Sequence, residues 1–178
     1  MTLKKTRIIS TIGIFLLCFL FHFIYNWFPC ALTEIFFPVN ESIWEHMKLL
    51  FSAVVFYGII DYIIFQKFNI KFNNFFISLF VSALSIIPIY LTMFLPIYYK
   101  IGQNMVITIG IMLIAIIISQ IISYYILKQE HFDKLNIISL ILIIISYIVF
   151  AYLTYYPIKN ELFFDTQDEK YGLNNYNV

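Results

Sequence analysis

Within the stretch PVNESIWEHMKLLF, an amide (Asn40), two carboxylates (Glu41, Glu45), an indole (Trp44), an imidazole (His46) and an ammonium (Lys48) fall inside the nine positions from Asn40 to Lys48. Side chains of these types can exchange protons, hold a cation or bind a small polar solute. An ammonium beside a carboxylate keeps it ionised, which leaves a second carboxylate free to take or release a proton. A further imidazole stands upstream, where His22 shares a helical face with Tyr25 and Asn26 by i, i+3, i+4 spacing. Two imidazoles and one or two carboxylates suffice for zinc or another divalent transition metal ion. The set expected from spacing is His22, Glu45 and His46, with Glu41 and Asn26 nearby. No H-E-x-x-H or H-x-x-E-H string is present, so spacing alone does not specify the chemistry.

These residues stand in an apolar chain, 62% hydrophobic and 12% charged, whereas soluble domains are roughly 45–50% apolar and about 25% charged. Several apolar runs exceed the roughly 18 residues that mark a membrane-crossing helix. The fold class expected is an all-α membrane protein, a polytopic bundle of about five transmembrane helices in contact with the lipid bilayer. The spans fall at about 8–28, 41–66, 73–95, 103–127 and 135–156, making a helical domain over 1–157 with a polar tail over 158–178. A net charge of +1 offers no footprint for nucleic acid.

The polar stretch must then occupy the first two turns of the second helix. Asn40 is expected as N-cap and Glu41 in the first turn. On that register Glu41, Glu45, Lys48 and Ser52 form one stripe, and Ser42, His46 and Leu49 a second. A short connection makes the first two helices antiparallel neighbours, which brings His22 to a depth comparable with Glu45 and His46. Pro88 is expected to kink the third span, and Pro96 to Gly102 to form a turn. Asp61 is expected to snorkel to the interface near Lys67, and Gln120 with Ser119 and Ser123 to make interhelical hydrogen bonds.

The start MTLKKTR followed by an apolar run of about 20 residues is read as an uncleaved helix, because a secretory h-region is shorter, about 7–15 residues, and no cleavage pattern follows. Cys18 and Cys30 are read as free thiols. Five spans put the termini on opposite sides. Lys4, Lys5, Arg7, Lys67, Lys71, Lys128 and Lys134 would lie on one side, and Lys48, Lys100, Lys159 and Lys170 on the other. The positive-inside rule then places the N-terminus in the cytoplasm and the C-terminus outside it. The richness in Ile, Phe, Tyr, Asn and Lys suggests a low-GC bacterial source, and so the bacterial cell membrane.

PVNESIWEHMKL, preceded by HFIYNW and followed by a C-terminal D…KYG, resembles a family of small bacterial integral membrane proteins of unknown function. The resemblance implies a shared fold and a shared site at His22, Asn40, Glu41, Trp44, Glu45 and His46. It also implies that Asp165 and Tyr171 of the tail fold back towards these residues. It supplies no reaction. Three functions remain open at this level. The first is binding or transport of a metal ion, proton or small polar solute in an outward-facing pocket. The second is metal-assisted, hydrolase-like catalysis with Glu41 or Glu45 as base. The third is an accessory role, with the cluster docking a membrane-complex partner or closing a homodimer.

Overall fold

The structure, a computed structural model, describes residues 1–102 and 104–173. Gln103, the expected start of the fourth span, and 174–178 of the tail lie outside the described residues. Among the described residues, five helices are long and apolar enough to cross a membrane: α1 (Leu3–Trp27), α3 (Ile43–Lys67), α4 (Phe75–Ile101), α5 (Met105–Ile126) and α6 (Asp133–Tyr155). The protein is a multi-pass helical membrane protein. A short helix, α2 (Ala31–Phe36), follows α1, and the tail forms a two-stranded antiparallel hairpin, β1 (Phe164–Asp165) and β2 (Lys170–Tyr171). The polar stretch, α2 and the hairpin gather at one end of the bundle, here the site end.

Helix α3 is the central element. Thirteen of its residues are buried, from Glu45 through Phe65, while α1, α4, α5 and α6 present long exposed apolar faces such as Ile8, Ile12 and Leu16 on α1. A helix apolar on all sides suits burial on one face and lipid on the other. The helices approach closely where serines replace larger residues, as at Ser78 and Ser123, whose hydroxyls lie 2.7 Å apart between α4 and α5.

Two expectations are corrected. Pro96 to Gly102 is not a turn, since α4 continues through both Pro88 and Pro96 to Ile101. Proline fixes a helix-compatible φ, and although it removes an N–H and crowds the carbonyl four residues back, a membrane helix packed against neighbours tolerates it. Stacking of Tyr90 on Phe94 and of Phe94 on Tyr98, with ring centroids 5.1 and 5.3 Å apart, continues one face across Pro96. Asp61 does not snorkel. It is buried in an ion pair with Arg7, Nη2 to Oδ2 2.6 Å, and accepts a hydrogen bond from Ser10 Oγ at 2.6 Å. Arg7 Nη1 donates to Gln120 Oε1 at 3.1 Å and to Ser123 Oγ at 3.0 Å. An unpaired charge is expensive at that depth, so Asp61 turns inward to a cation carried by another helix. The group ties α1, α3 and α5 together at the end opposite the site.

Candidate functional site

Local backbone chemistry sets the geometry of the site. Ser42, not Asn40, caps α3, its hydroxyl accepting from the Glu45 N–H at 3.3 Å. Asn40 braces the turn instead: its Oδ1 accepts from the Ser42 N–H at 2.9 Å, and its Nδ2 donates to the Gly172 carbonyl at 3.0 Å. Glu41 therefore lies ahead of the helix rather than on its wheel, and its carboxylate swings away from the Glu45–Lys48 stripe. The Glu41 N–H donates to Asp165 Oδ2 at 2.9 Å, and the same carboxylate accepts from the Gln167 and Asp168 N–H groups through Oδ1. The tail thus fixes where Glu41 points.

Glu41 meets both imidazoles. Its Oε1 lies 3.3 Å from His22 Nε2, and its Oε2 lies 3.6 Å from His46 Nε2. One ligand atom from each of the three residues falls within 4.8 Å of the others. His46 Nδ1 is 2.9 Å from the Ser42 carbonyl oxygen. A carbonyl only accepts, so Nδ1 carries a proton, and Nε2 faces the carboxylate either as a second N–H or as a lone pair. Two acceptors facing each other call for a cation between them, either a proton or a metal ion. A backbone carbonyl that orients the far nitrogen is also the usual support of a metal-binding histidine.

The structure brings Glu41, rather than the expected Glu45, to His22 and His46. Glu45 is 1% exposed and points towards α6. Its Oε2 pairs with Lys48 Nζ at 2.6 Å and accepts from the Val39 N–H at 3.2 Å, while its Oε1 accepts from Thr154 Oγ1 at 2.7 Å. Lys48 also donates to the Glu34 carbonyl at 2.8 Å and to Thr154 Oγ1 at 3.0 Å. The Glu34 carboxylate accepts from the Tyr155 hydroxyl. This second network bolts α2 and α6 to α3. No sequence signal marks Thr154 or Glu34 as its members, because neither lies near Glu45 in the chain.

Other expected site residues sit around the three rather than among them. The Trp44 ring stacks on Phe163 with centroids 4.8 Å apart, and the Trp44 backbone N–H donates to the Leu162 carbonyl at 2.8 Å. Asn26 is exposed, one turn beyond His22. Asp165 is fully buried beneath the hairpin, and Tyr171 packs against Phe164 at 5.0 Å. Gly172 closes the tail onto α6. It has φ +56°, and a Cβ there would meet the Thr154 carbonyl oxygen at 2.3 Å, so only glycine fits. Cys18 is buried and Cys30 exposed, and neither forms a disulfide.

The hydrogen bond from His22 holds the Glu41 carboxyl below its ordinary value of 4.5. Partial burial opposes this, as does Asp168, while the fields of His46 and His22 add to the lowering. A carboxylate depressed in the folded state contributes stability that is fully present above its unfolded value and is lost as pH falls through the folded one. Thermal unfolding should therefore show a decline below pH 4.5 that is shallower in Glu41→Gln than in the wild type.

Beneath the three residues lies a cavity of about 510 Å³, walled by α1, α3, α4 and α5. Its polar lining is His22, Glu41, His46, Tyr90, Thr108 and Gln167, and the remainder is apolar, including Phe19, Leu49 and Met112. Among known proteins, no curated protein and no solved structure matches the chain. The model of a family of unknown function (DUF6512) matches residues 1–173, nearly the whole chain, and the protein belongs to that family.

Proposed function

We propose that His22, Glu41 and His46 bind a divalent transition metal ion of the zinc type at the outward-facing end of the bundle. The reading rests chiefly on the pose of His46. Its Nδ1–H is committed to the Ser42 carbonyl, and its Nε2 faces a carboxylate oxygen at 3.6 Å, a separation that leaves room for a bound ion. A metal ion satisfies both acceptors at once. The two imidazole–carboxylate separations, 3.3 and 3.6 Å, suit ligands that each stand about 2.0–2.2 Å from one zinc ion. Binding is favoured over transport because the fully buried Ile14, Ile86 and Ile116 fill the core below the cavity.

A specific observation favours a second reading, metal-assisted hydrolysis. Three protein ligands would leave a fourth position for water or substrate, as in catalytic rather than structural zinc sites, and all three residues line the cavity.

The test of metal binding is elemental analysis of the full chain, purified in detergent, stripped with chelator, reloaded with zinc and dialysed. One zinc per chain is expected, with none retained by Glu41→Gln. Equal retention by the two proteins would remove the reading.

The site end is proposed to face outside the cytoplasm of a bacterial cell. Arg7 and Lys48 are paired internally. The remaining Lys4, Lys5, Lys67, Lys71, Lys128 and Lys134 at the opposite end still outnumber Lys100, Lys159 and Lys170, in keeping with the positive-inside rule. Cys30 reports on this directly, being exposed at the site end with a thiol lowered from its ordinary value of 9.0 by hydrogen bonding to Thr33. A membrane-impermeant maleimide should label intact cells at Cys30 in the wild type and not in Cys30→Ser. Labelling only after lysis would reverse the orientation.

A further inference from the structure

We infer that the cavity beneath His22, Glu41 and His46 takes a single-chain amphiphile from the membrane, with an oxyanion headgroup at the three residues and its chain in the apolar part. This rests on the metal reading above and names the class of ligand for the same site.

A metal ion alone does not need the space available. A water molecule occupies roughly 30 Å³, whereas the cavity measures about 510 Å³, within the roughly 300–1,000 Å³ typical of sites for organic ligands. Its polarity is divided along its length. Glu41, Gln167 and the imidazoles lie at the site end. From Met105 to Met112 the cavity follows α5 inward for about 10 Å at 1.5 Å per residue, past Leu49, Leu50 and Ile109. Apart from Tyr90 and Thr108, the inner wall offers water no side-chain hydrogen-bonding partner beyond the weak Cys18 thiol. An alkyl chain suits it.

The entrance suits a ligand already in the bilayer. Phe19, Phe23 and Met105 line the cavity yet are 37%, 45% and 75% exposed. Exposed apolar side chains on membrane-spanning helices face lipid, so the rim between α1 and α5 opens sideways to the acyl layer. The headgroup chemistry follows from the ligand set. Two neutral imidazoles and one carboxylate leave a divalent ion with net positive charge and an open position, which a phosphate or carboxylate oxygen fills. Chain and headgroup then bind at opposite ends of one cavity, and neither alone accounts for its shape.

The test is competition against a fluorescent alkyl phosphate bound to the zinc-loaded full chain in maltoside micelles, with zinc content measured on the same samples. Hexadecyl phosphate should displace the tracer at least about tenfold better than hexadecanol or inorganic phosphate; two buried methylenes supply that margin over inorganic phosphate, and one charge-assisted headgroup contact supplies it over the alcohol. Leu49→Trp and Thr108→Trp fill the cavity from opposite walls. Each should remove that margin while leaving one zinc per chain, and the half-buried Thr108 serves if the buried Leu49 position does not accept tryptophan. Equal competition by hexadecanol would mean chain partitioning only, and equal competition by inorganic phosphate a free-anion site. Either result, with zinc bound, overturns the amphiphile and leaves the metal reading standing. Absence of zinc from the wild type instead overturns the metal reading, and the proposed headgroup site with it.

Discussion

Glu45→Gln is expected to destabilise the protein by about 3–5 kcal/mol, the range for breaking a buried ion pair by removing one partner. The loss arises on the other side of the pair. Lys48 is 0% exposed, and its ammonium has Glu45 as its ionised partner, with the Glu34 carbonyl and the Thr154 hydroxyl as neutral acceptors. Glutamine keeps the shape and withdraws the charge, so a buried cation is left with dipoles alone. Lys48→Met should be damaging by the same logic, since it strands the Glu45 carboxylate. The double variant Glu45→Gln/Lys48→Met should be more stable than either single variant, because removing both charges also removes the desolvation they required. Thermal unfolding in detergent, followed by tryptophan fluorescence, measures all four corners of the cycle. A Glu45→Gln variant within about 0.5 kcal/mol of wild type, as for an ordinary surface change, would show that the pair does not bear on stability.

His22→Ala is expected to act in the opposite sense, on binding and not on folding. Changes to groups that merely orient a metal ligand lower affinity by about 10–100-fold, so loss of a direct ligand should weaken zinc binding by at least about 100-fold. His46→Ala and Glu41→Gln should do the same. The side chains of His22 and Glu41 are 27% and 31% exposed, and their replacement leaves no buried charge, so metal-free stability should stay within about 0.5 kcal/mol. Glu45→Gln, assayed at a temperature where it remains folded, should keep its zinc. Together these variants separate the two carboxylates by function. Loss of zinc in Glu45→Gln with retention in Glu41→Gln would reverse the assignment.

Part of this division was legible in the chain. The concentration of Glu41, Glu45, His46 and Lys48 at the mouth of an apolar helix already marked the region, because charges near a bilayer need partners. Antiparallel packing of the first two spans predicted that His22 and His46 would approach, and their ring centroids lie 5.7 Å apart. The choice of carboxylate was not legible. It turns on whether the helix begins at Glu41 or at Ile43, and both Asn40 and Ser42 are good capping residues. Local propensity does not separate them. The hydrogen bonds of Asn40 to Gly172 and of Asp165 to the Glu41 N–H do, and they come from a tail more than 120 residues away in the chain. Asp61 shows the same limit. Its proximity to Lys67 suggested snorkelling, but its partner Arg7 lies on another helix.

Amino-acid order by itself determined that this is a multi-pass helical membrane protein, and it singled out the polar stretch at the mouth of the second span. Those properties follow from hydropathy and from the expense of charge in lipid, which act locally along the chain. Only the tertiary structure decided which charges neutralise one another in the core and which face a cavity. Arg7 and Asp61 neutralise each other across α1 and α3, and Glu45 and Lys48 pair within α3, sealed in by Thr154 of α6 and the Glu34 carbonyl of α2, while Glu41 is turned by the docked tail towards His22 and His46. An ionisable group is structural or available according to what closes around it, and in a bundle those surroundings are set by packing across helices as well as by position in the chain.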